Sequence, residues 1–311
     1  MDRSLRLISP LERAFHLKRL GGLRDIPPAD LAAIALLAHE NSFARGAVIY
    51  RRGERVERVH VVVDGRVRVR GGEHGDDVVG AGDTIGLLSL LARDDIGLDA
   101  VAETDTVTLA LRADDLLNAF EEDFGILYSQ TRDLATETLR LRKRIPEGTY
   151  LASATKLAEP PAGDIDLVQR LLYLRRGGLG NANMDALMAM AQRMETARFE
   201  PGAELWRIGR PSGFLYYLLS GRVRCTTEDG TQFACGPGYP LGNLESQCGA
   251  PRWYDAVTET AVTALQHDTD VFLDTIEQHF EVALDFVAGM ASGLIARRAE
   301  MRTETVAGGV A

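Results

Sequence analysis

The residues best suited to chemistry lie in one stretch of the chain, from Gly236 to Thr258. Its pattern predicts the end of a strand, a glycine turn, one helical turn, a loop and the start of the next strand. Such an arrangement leaves room for a small molecule beside the short helix. The candidate ligand-binding residues are Gly242, Asn243, Leu244, Arg252, Trp253 and Tyr254.

An earlier stretch, from Gly80 to Ala102, repeats this pattern. The aligned pairs are Gly82 with Gly238, Gly86 with Gly242, and Ala100 with Ala256, each at an offset of 156 residues. The same offset aligns predicted helices, strands and turns throughout both halves without a gap. Solenoid repeats have much shorter periods. The chain is therefore interpreted as a duplication of one domain.

Composition narrows the classes of partner and site. The 311 residues, 45% hydrophobic and 26% charged, suffice for two domains of about 150 residues each. A net charge of -10 and a pI near 5.2 argue against nucleic acid or an anionic membrane surface as the main partner. The three cysteines and six histidines lack metal-ligand spacing, so neither a zinc site nor a disulfide framework is predicted. We expect a cytoplasmic protein with no membrane span and no metal.

The elements that must position the candidate residues alternate between two periodicities. A helical pair is predicted before residue 39, and short strands joined by glycine turns follow from residue 43, which is typical of a β-barrel or jelly roll. Further helices end near Ile145, residues 146–164 have no apolar period, and the whole pattern then recurs. We predict a mainly β fold with flanking helices, as domains 1–145 and 165–311 joined by a linker.

The spaced glycines resemble those of a known family, the cyclic-nucleotide-binding domains of catabolite-activator-type regulators and protein kinase A regulatory subunits. In the first half the signature is Phe43-x-x-Gly46-x-x-Ile49-x-x-x-Gly53, then Asp64-Gly65-x-Val67 and Gly82-Asp83-x-x-Gly86. In the second half it is Phe199-x-x-Gly202 through Gly209, then Ser220-Gly221-x-Val223 and Gly238 to Gly242. The resemblance covers nearly all of both halves and implies two tandem cyclic-nucleotide-binding-like domains.

The resemblance also implies where a ligand would bind. In the family, a glutamate after the cassette glycine accepts from the ribose 2′-hydroxyl, and an arginine nine residues later holds the cyclic phosphate. The second half keeps Arg252 but has Asn243 at the glutamate position, and Trp253 and Tyr254 replace small residues. Two alternatives stay open: the rings stack on a cyclic nucleotide or related phosphorylated ligand, held by Arg252 and the helix start at Gly242, or they fill the pocket.

The first cassette departs further from the family pattern. After Gly86, the glutamate position is Leu87 and the arginine position is Ile96, preceded by two aspartates. We therefore expect a degenerate pocket that does not bind cyclic nucleotides. Ser89 and Ser246 lie in the short helices of the two cassettes, where solvated or capping hydroxyls are the favoured interpretation.

The two long helices are candidates for an interaction surface. Residues 125–145 and 281–301 carry apolar stripes that need cover, formed by Leu127, Leu134, Leu141, Val287, Met290 and Leu294. They could pack on their own domains, between the halves, or between two chains of a homodimer. No DNA-binding module is expected after the last helix, and no catalytic dyad is visible. The sequence thus predicts a non-enzymatic regulatory module with a protein partner; the alternative is a second-messenger receptor that binds its ligand in the C-terminal domain.

Overall fold

The computed structural model describes residues 8–18, 23, 26–71, 75–93, 98–176 and 183–308. In the first repeat the helices are α1 Pro10–Leu17, α2 Pro28–Leu37, α3 Leu87–Leu91, α4 Ala113–Glu122 and α5 Phe124–Arg142. Its strands are β1 His39–Phe43, β2 Val48–Tyr50, β3 Arg58–Asp64, β4 Val67–Gly71, β5 Gly75–Val79, β6 Thr84–Ile85, β7 Leu98–Ala102 and β8 Thr106–Arg112.

The second repeat follows the same order of elements. A short strand, β9 Thr149–Leu151, comes before it. Its helices are α6 Leu167–Arg176, α7 Met184–Arg193, α8 Asn243–Cys248, α9 Thr269–Glu277 and α10 Phe280–Gly308. Its strands are β10 Glu195–Phe199, β11 Glu204–Trp206, β12 Phe214–Ser220, β13 Val223–Thr227, β14 Gln232–Cys235, β15 Pro240–Leu241, β16 Tyr254–Thr258 and β17 Val262–Asp268.

Each repeat contains two sheets with a core between them, and all their strands pair antiparallel except β9, which joins β14 in parallel. The orders are β1-β8-β3-β6 and β2-β7-β4-β5 in the first repeat. They are β10-β17-β12-β15 and β11-β16-β13-β14-β9 in the second. The inward residues of both sheets of a repeat belong to one buried cluster, because side chains alternate between the faces of a strand. The predicted mainly β, jelly-roll fold with flanking helices is confirmed.

The described residues fall into two compact units. One contains the residues up to Leu134 together with those from Val287 onward, and the other is Ala135–Phe286. The residues of α5 and α10 are therefore divided between the units. In the first unit, the Ser292 hydroxyl of α10 donates to the carbonyl of Ala92, the C-cap of α3, at 3.2 Å. The boundaries expected from the sequence, 1–145 and 165–311, remain a prediction.

The segment expected to be a linker without periodic structure contributes a strand. Thr149–Leu151 pairs with β14, in parallel, through the register Phe233–Thr149, Ala234–Tyr150 and Cys235–Leu151. A strand of three residues is too short to show an alternation of apolar and polar residues in the sequence. Its formation also depends on a partner strand more than 80 residues away. The sequence interpretation of 146–164 as a linker did not include this strand, and the linker itself remains a prediction.

The predicted helical stripes are largely covered. Leu127, Leu134, Leu141, Val287 and Leu294 are buried, and Met290 is half-buried. Helix α10 is longer than expected and extends to Gly308. The role of these residues in contacts between two chains remains a prediction.

Candidate functional site

The cassette of the second repeat begins at a position that only a residue without Cβ can occupy. Gly242 caps α8 with φ 84°, in the left-handed region. A Cβ at this position would overlap Nη1 of Arg252 and lie 3.1 Å from the Trp206 ring. Helix α8 ends after its six residues at Gly249, which is also left-handed. Gly242 thus allows the Arg252 side chain to lie against the backbone of the cassette.

Arg252 is buried inside the repeat, with 1% of its surface exposed. Its Nη1 donates to the Gly242 carbonyl at 3.1 Å, to Glu245 Oε1 at 3.4 Å and to Ser246 Oγ at 3.5 Å. Its Nη2 donates to the carbonyl of Phe214. Of its three nitrogens, Nε is the one without a hydrogen-bond partner. The guanidinium group for which the family resemblance implies a phosphate is therefore engaged by groups of the protein.

Glu245 supplies the negative charge opposite Arg252. The Glu245 side chain is 3% exposed, and it also accepts a hydrogen bond from the Tyr254 hydroxyl. Burial raises the pKa of Glu245 above its ordinary value, although the Arg252 charge and hydrogen bonds oppose that shift. Burial, followed by the nearby Glu245 charge, raises the pKa of Tyr254 well above its ordinary value. The three side chains form one buried polar network.

Aromatic rings enclose this network. The Arg252 guanidinium carbon lies 4.0 Å from the Trp206 ring centroid and 4.9 Å from that of Phe214. The Trp206 ring stacks on Tyr216, with 6.0 Å between centroids. The Trp206 and Tyr254 rings are 5.7 Å apart. These rings belong to the core cluster between the two sheets, so they occupy the interior next to the arginine.

The structure brings only some of the sequence-predicted residues to one place. Gly242, Arg252 and Tyr254 meet as described above. Asn243 is half-buried, and its Oδ1 accepts from Gln247 Nε2 at 3.5 Å, within α8. Leu244 is half-buried and has no polar group to offer. Trp253 is half-buried and stacks on Phe233, with 5.5 Å between centroids and 16° between planes.

The sequence interpretation missed Glu245, Trp206 and Phe214. Glu245 lies two residues after the position where the family pattern places its glutamate, and the helical turn of α8 carries its side chain to Arg252. The solvated or capping role expected for the two cassette serines was wrong. The Ser246 hydroxyl is buried and donates to the carbonyls of Phe214 and Gly242 at 3.0 and 2.7 Å. Ser89 is buried, and its Oγ has no partner.

The first cassette is filled by tyrosine and aliphatic side chains. Gly86 caps α3 with φ 92°, and a Cβ there would lie 2.7 Å from the Tyr50 hydroxyl. That hydroxyl donates to the carbonyl of Arg58 and to that of Ile85 at 3.4 Å. Leu87 is half-buried, and Ile96 lies outside the described residues. The surrounding buried cluster contains Val56, Val62, Val67, Val69, Val79, Leu98 and Ala100.

Metal ligands and membrane-spanning helices are two further kinds of functional feature. Across the described residues, no group of three or more His, Cys, Asp or Glu side chains is placed to hold a metal ion. None of the helices in that part of the chain is both long enough and apolar enough to cross a membrane. Cys225, Cys235 and Cys248 are free thiols.

Sequence comparison finds the family described as "cyclic nucleotide-binding domain" at residues 40–123 and 196–279, which is more than half of the chain. The two matches are offset by 156 residues at both ends. A partial match of 28% identity over 121 residues joins 39% of this chain to 19% of glutaminase 2 from Bradyrhizobium diazoefficiens. The chain thus spans only that 19% of this curated relative.

Similar solved structures include protein kinase A regulatory subunits. One is the regulatory subunit of a cAMP-independent protein kinase A from Trypanosoma brucei, at 16% identity and TM-score 0.34, covering 96% of this chain and 91% of that one. Another is the regulatory domain of Toxoplasma gondii protein kinase A with cAMP, at 14% identity and TM-score 0.35, covering 94% and 97%. The N-terminal domain of a Streptomyces coelicolor transcriptional regulator matches at 24% identity and TM-score 0.35, covering 41% and 93%. On the two sequence matches, this chain belongs to the cyclic nucleotide-binding domain family, as two such domains in tandem.

Proposed function

We propose that this chain is a non-enzymatic regulatory protein in which two degenerate cyclic-nucleotide-binding domains act as a protein-interaction module. The observation that carries the proposal is the buried network of Arg252. Its terminal nitrogens already donate to a carboxylate, a hydroxyl and two carbonyls. A cyclic phosphate would have to displace Glu245 and then share the site with that buried negative charge. Displacement would also leave a carboxylate without its cation in a water-poor interior.

The first repeat supports the same proposal by a different route. Its Tyr50 hydroxyl and aliphatic cluster take up the corresponding interior, and Leu87 offers no acceptor to a ribose. Contacts of a charged donor or acceptor contribute about 1.5–3 kcal/mol each. The first cassette lacks both, since Leu87 is at the glutamate position and Ile96 at the arginine position, so a micromolar site would become one of about millimolar affinity or weaker. We expect the first domain not to bind cyclic nucleotides.

The experiment is calorimetry of the full chain with cyclic AMP, cyclic GMP and cyclic dinucleotides. We expect no measurable heat of binding with the wild type. Glu245→Gln removes the competing charge while keeping the shape, so any weak binding should strengthen in this variant. Glu228→Gln, a change at an exposed acidic residue of the same repeat, is the matched control and should have no effect. Micromolar binding by the wild type would contradict the proposal.

The second candidate is a true second-messenger receptor, with the ligand in the C-terminal domain. It is favoured by the retained Arg252, whose Nε has no partner, and by the nearby rings of Trp253 and Tyr254. In that case binding should depend on Arg252 and be indifferent to substitutions in the first cassette, such as Leu87→Ala. Affinity that is unchanged by Glu245→Gln but abolished in the Arg252→Met, Glu245→Gln double variant, which carries no unpaired buried charge, would select the receptor over the interaction module.

The remaining parts of the proposal concern partners and location. A protein partner, without sequence-specific DNA binding, suits the acidic balance of the chain. Gel shifts with genomic fragments at about 150 mM salt should show no discrete complex. Homodimerisation is tested by sedimentation at several concentrations. The three free thiols suit a reducing compartment such as the cytoplasm.

A further inference from the structure

A short segment of the chain, residues 148–153, lies along the edge of β14 and is here named the strap. Its strand β9 runs parallel to β14. Beyond the ladder, the Gly148 amide donates to the Gln232 carbonyl at 2.7 Å, the Gly236 amide to the Leu151 carbonyl at 2.8 Å, and the Ser153 amide to the Pro237 carbonyl at 2.9 Å. The strap therefore closes a sheet edge that would otherwise present unpaired backbone groups.

The strap fits β14 and the following turn through two glycines. A Cβ on Gly236 would overlap the Tyr150 hydroxyl, and a Cβ on Gly238 would overlap Cβ of Ser153. The Arg222 guanidinium lies 5.2 Å from the centroid of the Tyr150 ring. Leu151 packs against the core cluster of the repeat. The edge thus accepts an aromatic residue, then an aliphatic one, then, two positions further, a small one.

The first repeat shows the same edge without a strap. In its described residues the corresponding sheet ends at β5. Gly80 and Gly82 are the equivalents of Gly236 and Gly238. A Cβ on Gly80 would meet nothing closer than 3.9 Å, and one on Gly82 nothing within 4 Å. The glycines therefore belong to the fold of both repeats, and in the second repeat the strap uses the space they leave.

The strap is attached more weakly than the strands it joins. Only three residues form its ladder, and the Tyr150 side chain is 51% exposed. Gly148, with φ 76°, precedes the strand, and residues 152–166 after it contain no helix or strand. Segments with few buried contacts and exposed backbone bonds open locally at low free energy. The edge can therefore open without unfolding of the repeat.

We propose that the edge of β14 is a strand-acceptor site for a protein partner. The partner fits as an extended segment parallel to β14, with an aromatic–aliphatic–x–small pattern, and it takes the place of the strap. This is strand addition to a sheet edge, in which backbone bonds give affinity and the glycine and core positions give specificity. Because the Gly236–Gly238 turn leads into β15 and Gly242, the site adjoins the cassette. The inference rests on the proposed interaction role, but its test contains no nucleotide, so the two fail separately.

The test uses a fluorescent peptide with the sequence of residues 147–155 and the full-length chain. Anisotropy should show weak binding to the wild type, whose own strap competes. Binding should be about tenfold tighter or more in the Tyr150→Gly, Leu151→Ser variant, since the site is then open in most molecules. Adding Gly236→Ala to this variant should abolish binding, whereas Gly80→Ala, the matched change in the first repeat, should leave it unchanged. Equal affinity for wild type and variant, or binding that survives Gly236→Ala, would overturn the proposal.

A measurement on the wild-type chain covers the case in which the strap variant does not fold. An excess of the same peptide should accelerate hydrogen exchange of the strap amides relative to those of β13, and a peptide with glycine in place of the tyrosine should not. No acceleration, or the same acceleration by both peptides, would refute the exchange. Dimers of the wild type that disappear in the Tyr150→Gly, Leu151→Ser variant would identify a second copy as the occupant and overturn the assignment to a separate partner.

Discussion

Replacing Arg252 by methionine should destabilise the second repeat strongly, because the change removes one member of a buried ion pair. Glu245 would keep its place at 2% exposure and lose its cation. The Phe214 carbonyl would also lose the donor on Nη2. Breaking a buried pair in this way costs about 3–5 kcal/mol, which for a unit of about 150 residues lowers Tm by about 6–20 °C.

The dependence of this loss on pH follows from the Glu245 carboxyl. The pKa of Glu245 is raised in the folded state, so the carboxyl loses its proton at a lower pH in the unfolded chain than in the folded one. The contribution of Glu245 to stability therefore decreases as the pH rises from the ordinary pKa of glutamic acid through the folded-state pKa. Without Arg252 the folded-state pKa of Glu245 rises further, since the Arg252 charge and its hydrogen bond, which both lower that pKa, are gone. The destabilisation by Arg252→Met should therefore be smallest in acid and grow towards neutral pH.

The assay is urea unfolding of the wild type, the single variant and the Arg252→Met, Glu245→Gln double variant. It is run at about pH 4.5, close to where an ordinary glutamic acid ionises, and at about pH 7. The double variant carries no buried charge at this place, so it should regain most of the lost stability, as buried pairs replaced by neutral groups often do. A loss below about 1 kcal/mol in the single variant, or a double variant as unstable as the single one, would refute the account of the network.

Three further predictions concern the rest of the chain. Burial, and then the Arg58 charge, lower the pKa of His60 to about 4. The contribution of His60 to stability should therefore be complete above about pH 6.5 and fall by up to about 3 kcal/mol as the pH decreases towards 4. In unfolding experiments, His60→Leu should make stability less dependent on pH over this range. Gly221→Ala should destabilise more than Gly230→Ala, measured by the same method: both glycines have φ 85°, but only the Cβ at 221 would overlap the Ala261 carbonyl. Leu134→Glu with Met290→Glu should lower Tm or weaken self-association, and unchanged Tm and sedimentation would remove the stripes from consideration.

The fold could be predicted from the sequence because its signals are local and occur twice. The glycine spacing and the alternating strands recur at 156 residues, and every strand from β10 to β17 except β14 begins at that offset from its counterpart. Strand β9 could not be predicted from its own three residues. Thr149–Leu151 forms a strand because it pairs with the edge of β14 and because Gly236 leaves space for the Tyr150 side chain.

The candidate site could be predicted in position but not in chemistry. The sequence locates the cassette and Arg252. A family pattern, however, compares residues by their positions along the chain and does not show which side chains contact each other in the fold. Glu245 lies at no acidic position of the pattern, but a short helix directs its side chain to Arg252. The offset also pairs Tyr50 with Trp206. That pairing is visible in the sequence, and it becomes informative only once each side chain is seen to lie against the cassette glycine of its own repeat, Tyr50 at Gly86 and Trp206 at Gly242.

The pairing explains why a duplicated pocket is filled in two chemically different ways. In the first repeat, the Tyr50 hydroxyl donates to the carbonyl of Arg58. The equivalent carbonyl in the second repeat is that of Phe214, which accepts from both Arg252 Nη2 and the Ser246 hydroxyl. Trp206, which stands in place of the tyrosine, has no hydroxyl to offer this carbonyl and leaves its own Nε1 without a partner. Arg252 and Ser246 therefore supply in the second repeat the kind of donor that Tyr50 supplies in the first, which gives the buried arginine a structural role in its own repeat.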